Sequence, residues 1–199
     1  MNKRDLQAQQ TKKKILNIAI KMILDSSFDN VTINKICTAA EVTKGAFYHH
    51  FSSKSDIVVE IYKQNIMDGL SLNKDDYDAI TPLDKIHESV SKYLLSIYNG
   101  GSELIKQIFI HQIMTDLKYY VSEDYIIYDF LKSLVEEGQN IGEIRNDIDS
   151  SMISRLIIKV ARGLLYDWSI NKGSYSFIDT VNVDLNLFLD SIRTKSKLD

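Results

Sequence analysis

The stretch T-K-G-A-F-Y-H-H-F-S-S-K-S-D-I, residues 43–57, holds two adjacent histidines, a tyrosine, two phenylalanines and a glycine, with a lysine near each end, in a chain whose net charge is −3. Three kinds of chemistry use such residues: a metal site, a catalytic site, and a surface that meets phosphates and base edges. Adjacent histidines on a helix point their rings roughly 100° apart, so the pair does not easily close on one ion. Cys37 is the sole thiol and has no second cysteine at zinc-ligand spacing. Ser52, Ser53 and His49 lie close in sequence, yet neither a strand nor a nucleophile elbow precedes them. No catalytic residue, metal ligand or cofactor is therefore expected.

The third chemistry uses all of the residues. Thr32 and Thr43 are placed to cap two short helices, residues 33–40 and 44–50, joined by Glu41-Val42-Thr43. Each is shorter than the ~12 residues at which an isolated helix becomes even marginal in water, so both must dock on something. Ile36, Ala40, Val42, Phe47 and Phe51 give them an apolar side, to pack on a helix over 10–26 and on Phe28. Lys44, Gly45, Tyr48 and His49 then share the opposite side at i, i+3 and i+4 spacing. The pattern is a helix-turn-helix whose second helix is small and polar in its first half, as a major groove requires. In that reading Thr32, Thr43 and Lys54 stand at helix starts, where free N–H groups meet phosphate. Lys44 reaches a base edge or a phosphate, and Gly45 lets the DNA backbone come close. Tyr48 offers a ring and a hydroxyl, and His49 donates to phosphate. Lys3 and Arg4 are read as a trailing, disordered arm for the minor groove. Charge fits an anionic partner for this end alone: residues 1–54 carry nine basic and four acidic residues, +5, which leaves −8 on the remainder.

Beyond the motif, punctuation and period read as helices throughout. They are expected over 10–26, 33–40, 44–50, 54–71, 83–98, 103–120, 123–138, 150–172 and 176–195: an all-α protein of about nine helices, a small N-terminal bundle and a larger C-terminal one. Ser53 stands three residues before Asp56, the spacing of a capping box. Thr81-Pro82-Leu83-Asp84 places a cap, a proline at the first helical position and an acid in the first turn. Residues 73–80 read as an acidic loop, Gly100-Gly101 as the end of the helix over 83–98, Gly138 as lying near the C-terminal end of its helix, and Gly173 as following the helix over 150–172. A single cysteine excludes an intrachain disulfide. The first residues lack the apolar run of a secretory leader, and no stretch approaches ~18 uninterrupted apolar residues, so a cytoplasmic, non-membrane location is expected.

Residues 32–57, T-I-N-K-I-C-T-A-A-E-V-T-K-G-A-F-Y-H-H-F-S-S-K-S-D-I, closely resemble the signature of the TetR family of bacterial transcriptional regulators, and the likeness spans residues 9–69. Cys37 replaces a usual alanine. Glu41 stands where the family often has glycine, which costs about 1 kcal/mol if φ is positive. The resemblance implies a DNA-binding domain over 9–69, with its helix-turn-helix at 32–51, and an effector-binding and dimerisation domain over 70–199. It further implies a homodimeric regulator, a repressor released from a palindromic double-stranded DNA operator by a small-molecule effector.

In the C-terminal part the likeness is weaker, limited to G-E-I-R-N-D-I-D (142–149) and A-R-G-L-L-Y-D-W (161–168). By that resemblance the last two long helices form the dimer interface. Ile153, Ile157, Ala161 and Leu164 would serve on one, and Val181, Leu185, Phe188 and Ile192 on the other. An intrachain bundle face has the same apolar stripe. Tyr93, Phe109, Met114, Tyr128 and Tyr166 are candidate pocket walls, with His111 and Arg162 as polar anchors. Two other readings stand beside the regulator: a helical enzyme, for which the C-terminal body offers no persuasive catalytic dyad, and a protein-binding scaffold.

Overall fold

The computed structural model describes residues 3–69, 76–77, 80–114 and 119–195. These residues form nine helices and no strand. The first, α1 (Lys3–Ser26), begins ahead of the expected residue 10, so Lys3 and Arg4 make its opening turn instead of a trailing arm. Ile15, Leu16, Ala19 and Ile23 are its buried stripe.

The next two helices, α2 (Ile33–Ala40) and α3 (Lys44–His50), carry the caps expected of them. Thr32 accepts from Lys35 N–H at 3.2 Å, and Thr43 from Ala46 N–H at 3.1 Å. Between the helices, Glu41 adopts φ 52°, ψ 43°, the left-handed region where glycine is at ease. That conformation lets Val42 N–H close on Cys37 O at 3.0 Å. Phe47 is fully buried and Phe51 nearly so, with ring centroids 5.6 Å apart. Burial of one such phenylalanine contributes roughly 1.5–3 kcal/mol, enough to hold a helix too short to form alone.

Ser53 and Asp56 start α4 (Lys54–Gly69) reciprocally: Asp56 N–H donates to the Ser53 hydroxyl, which donates to the Asp56 carboxylate at 2.6 Å. The other carboxylate oxygen accepts from Ser52 N–H at 2.8 Å. A salt bridge of 2.6 Å between Lys12 and Glu60 ties α4 to α1.

At the centre of the body lies α5 (Pro82–Tyr98), in contact with α4 and with each of the four helices that follow it. Thr81 caps it, accepting from Asp84 N–H at 3.2 Å, with Pro82 at the first helical position. A positive φ of 78° at Gly101 turns the chain into α6 (Gly101–Met114), two residues before the expected start. The expected end of that helix includes 115–118, which lie outside the described residues, as do 70–71 of the expected 54–71 helix, 72, and 73–75 and 78–79 of the acidic stretch. Tyr77 is buried against Phe130, with the Lys92 ammonium 4.7 Å from its ring centroid.

Helix α7 (Tyr119–Asn140) runs through Gly138. The glycine stands in its last turn, as expected; a Cβ there would lie 2.6 Å from Ile144 Cδ1, so glycine permits the chain to fold back. That turn is pinned to the chain's far end: Arg145 N–H donates to Ile192 O and Thr194 N–H to Glu143 O, both at 2.9 Å. The last two helices are α8 (Ser150–Ile170) and α9 (Phe177–Ile192). Gly173, at φ 69°, lies under the Trp168 ring, and Trp168 Nε1 donates to Tyr175 O at 3.1 Å. Tyr98 stacks on Phe177 at 5.2 Å, fastening α5 to α9. Among the described residues no helix is long and apolar enough to cross a membrane, and no three His, Cys, Asp or Glu side chains are grouped to hold a metal.

Candidate nucleic-acid interface and effector slot

With Phe47 anchored inside, the rest of α3 is oriented by helix geometry alone. Thr43, Lys44, Gly45, Tyr48 and His49 all face solvent, and Tyr48 is 54% exposed. The Tyr48 ring stands edge-on to Phe47 at 5.5 Å, so its base is braced while its hydroxyl is free to reach outward. A Cβ at Gly45 would meet only Thr43 Oγ1, at 3.8 Å. The fold itself thus gains nothing from a glycine that weakens a short helix by about 1 kcal/mol relative to alanine. Thr32, exposed at the start of α2, offers a second capped helix start.

Lys54 does not join that surface. Its ammonium is turned inward, donating to Phe28 O at 2.7 Å and Val31 O at 2.9 Å, 3.9 Å from the Phe28 ring centroid. It closes the turn between α1 and α2 with two of its three N–H donors. His50 is half-buried beside His49, ring centroids 4.9 Å apart. Burial first, then the charges of His49 and Lys12, holds its pKa below the ordinary histidine value.

The candidate pocket residues divide. Tyr93 lines two adjoining spaces between α5 and α8. One, of about 20 Å³, is almost wholly apolar and reaches Phe130 and Leu131 of α7. The other, of about 10 Å³, lies toward α4 and α6 and contains Phe109 and Arg162, two of the expected residues, with Tyr62 and Gln112. His111 and Met114 instead face a separate groove of about 430 Å³ against Phe28 and Asp56, at the junction of the N-terminal helices with α6. Tyr128 lies under the Arg155 guanidinium on the α7–α8 surface. Tyr166 is 50% exposed and touches the slot only through an edge contact with Phe109, 5.6 Å away. Tyr62 escaped the sequence reading as a site residue. Its signal was a tyrosine in an apolar stripe, whose buried hydroxyl needs a partner; that partner is the Tyr93 hydroxyl, 3.1 Å away.

The expected dimer stripe is turned inward. Ile153, Ile157, Ala161, Val181, Leu185 and Ile192 are buried within their own protomer, and Leu164 and Phe188 are half-buried. The reason is packing: α8 lies on α6 and α7, and α9 on α5, so these side chains fill the body's own core. Exposed instead are Met152, Leu156, Tyr166 and Ile170 on α8 and Ile178, Val183 and Leu187 on α9. Gly163, in line with the α8 set, has nothing within 4 Å of where a Cβ would be.

Comparison with known proteins places this geometry. Residues 15–61 match the family of bacterial regulatory proteins, tetR family, and residues 63–191 match the C-terminal region of YsiA-like protein. The HTH-type transcriptional regulator UidR of Escherichia coli K12 is 27% identical over 172 residues, 84% of this chain and 86% of that protein. The fatty acid metabolism regulator protein of Bacillus subtilis is 23% identical over 186 residues, 92% and 95% of the two chains. Among solved structures, FadR from Bacillus subtilis in complex with stearoyl-CoA has a TM-score of 0.70 at 21% identity, covering 90% of this chain and 98% of that one. Salmonella enterica GusR has a TM-score of 0.65 at 23% identity, covering 91% and 96%. The chain belongs to the TetR family of bacterial helix-turn-helix transcriptional regulators.

Proposed function

We propose that this regulator is a repressor that grips a palindromic operator as a homodimer and leaves it when an amphipathic small molecule opens the slot between α5 and α8. The observation that carries the reading is the exposed ridge of Lys44, Gly45, Tyr48 and His49 backed by a Phe47 with no exposed surface. Thr43 and Thr32 position the backbone on phosphates, and Lys44, Tyr48 and His49 face the major groove. The +5 charge of residues 1–54 draws that end to DNA, while the remainder is repelled. The division into a reading head over 9–69 and a sensing body over 70–199 belongs to the same proposal.

One α3 contacts too few base pairs for specificity; two, set on half-sites ~34–36 Å apart, suffice. The second copy is assigned to the exposed stripe of α8 and α9, Met152, Leu156, Tyr166, Ile170, Val183 and Leu187, with Gly163 allowing close helix approach. An apolar slot ending at an arginine favours an effector with a long apolar part and a polar head, the character of the stearoyl-CoA held by the Bacillus subtilis FadR. The relatives named above are regulators, and no catalytic role is proposed.

Anisotropy titrations on DNA from the protein's own promoter region test the assignment. Lys44→Ala and Tyr48→Ala should each weaken binding by roughly 10–100-fold, for about 1–3 kcal/mol per contact. Sedimentation should still show dimers. Leu156→Glu with Leu187→Glu should give monomers that no longer bind. Unchanged affinity in both ridge variants refutes the interface.

A further inference from the structure

The two helices that carry the exposed apolar stripe differ in charge. α8 holds Arg155, Lys159 and Arg162 against one acid, Asp167, whereas α9 holds Asp179, Asp184 and Asp190 and no base. Their charges are also sorted around each helix. Arg155 and Lys159 are exposed one turn apart, and the Arg155 guanidinium lies 5.7 Å from the ring centroid of Tyr128 on α7. Trp168, which meets Phe177 of α9, lies roughly 140–180° around α8 from both. The basic edge is therefore the one away from α9. On α9, Asp179 and Asp190 are exposed three turns apart on one line. Asp184 lies about 120–140° from them and acts on the Tyr175 hydroxyl, which donates to Asp167 of α8 at 2.6 Å. Asp184 thus marks the α8 side, and Asp179 and Asp190 the far edge. Across the face the order is a basic edge, two apolar stripes and an acidic edge. Among the described residues no ion pair joins α8 to α9 within the protomer, and Asp190 is bridged only to Arg193, at 3.6 Å.

A face that meets its own copy about a two-fold axis has two choices. With the axis across the helices, α8 lies on the partner's α8 and like edges meet. With the axis along them, α8 lies on the partner's α9, and each basic edge meets an acidic one. Like charges brought together cost affinity, and opposite charges fix register. Counted from the touching Trp168 and Phe177, Arg155 and Asp190 stand the same thirteen residues away, roughly 20 Å along each helix. The second axis therefore sets Arg155 level with the partner's Asp190. It also keeps both α3 ridges level, as a single duplex demands. We propose that these edges are a pairing code. Arg155 and Lys159 on one side, Asp179 and Asp190 on the other, select a second copy of this chain in the α8-on-α9 arrangement and reject chains whose edges are sorted otherwise (this rests on the dimer face proposed above).

The test is a charge exchange in the full-length protein. One variant carries Arg155→Glu with Lys159→Glu, the other Asp179→Lys with Asp190→Lys. All four side chains are exposed, so the fold should be kept, which circular dichroism checks. Sedimentation reads each variant alone, and native mass spectrometry reads an equimolar mixture. Each variant alone brings like edges together twice and should dimerise at least tenfold more weakly than the wild type. In the mixture every edge again meets its opposite, so heterodimers should dominate. Salt at 1 M, where the screening length is about 3 Å, should shrink both effects. Variants that each dimerise as the wild type does, or a mixture without preference for the heterodimer, overturn the code and leave the face standing. A wild type that is monomeric, or a dimer indifferent to Leu156→Glu with Leu187→Glu, overturns the face, and the code with it.

Discussion

Replacing Lys54 with methionine separates two roles that the sequence offers for one ammonium. As the structure has it, Lys54 makes two charge-assisted hydrogen bonds, to Phe28 O and Val31 O, and a cation–π contact with Phe28. A hydrogen bond from a charged group contributes ~1.5–3 kcal/mol and an exposed cation–π contact ~0.5–1. Lys54 is half-buried, and the two carbonyls it leaves regain some water, so a net loss of about 2–3 kcal/mol is expected. Methionine keeps the aliphatic packing, which confines the loss to the ammonium. For a chain of this size each kcal/mol moves the melting temperature by about 2–4 °C, giving a fall of about 5–10 °C by circular dichroism. A phosphate ligand behaves otherwise. Its removal leaves the melting temperature alone and lowers the slope of log affinity against log salt by about one unit. The expected outcome is the first pattern with the salt slope of the wild type. An unchanged melting temperature with a slope reduced by one refutes the inward role of Lys54.

Three further outcomes follow from single sites. Gly45→Ala should leave the fold unharmed or raise its stability by up to about 1 kcal/mol in urea titrations, because the new methyl meets only Thr43 Oγ1, while operator affinity falls; equal affinity would show that nothing approaches Gly45. Glu41→Gly should stabilise the protein by about 0.5–1 kcal/mol, since φ is 52° and the Lys14–Glu41 bridge that is lost is an exposed one, so a lower urea midpoint counts against the strain. His50 has a folded pKa below its unfolded one, so the unfolded chain binds the proton more readily and stability should fall as pH drops through about 6.5. His50→Gln should flatten that part of the profile, and a wild type that gains stability on acidification would contradict the sign.

What the sequence revealed and concealed has a common cause. Thr32, Thr43, Ser53 and Thr81 were legible as caps because a cap is a local event, decided within four residues by side-chain reach. The ridge on α3 was legible for the same reason: once Phe47 is inside, helix geometry places Lys44, Tyr48 and His49. Lys54 was not, because its partners are carbonyls 26 and 23 residues upstream, brought to it only by the turn that it closes. Gly138 was legible in part: its place near a helix end is local, while the room it makes for Ile144 belongs to the fold. The slot was half-legible. Tyr93, Phe109 and Arg162 share a space, but Tyr128, Tyr166, His111 and Met114 required knowledge of which neighbour each helix face meets.

The reversal on α8 is the more general case. Ile153, Ile157 and Ala161 form one apolar stripe, and Met152, Leu156, Tyr166 and Ile170 a second beside it. Period alone registers both as helical spacing and ranks neither. A helix that serves only its own core needs one stripe of about 100°; a wider apolar arc needs a second surface to cover it. The width of the arc, not the choice of residues within it, is therefore the sequence feature on which the proposed dimer face rests. The first stripe is consumed by α6 and α7, so the second is the one left exposed, the face assigned to the proposed dimer. Its exposed members recur with steps of four, ten and four residues, on one line with Gly163, so a facing helix can lie along them with its backbone close at the glycine. Filling that gap tests the argument directly: Gly163→Leu has open space in the protomer, so it should leave the monomer fold intact and weaken dimerisation at least tenfold by sedimentation. A variant that dimerises as before would place the partner elsewhere.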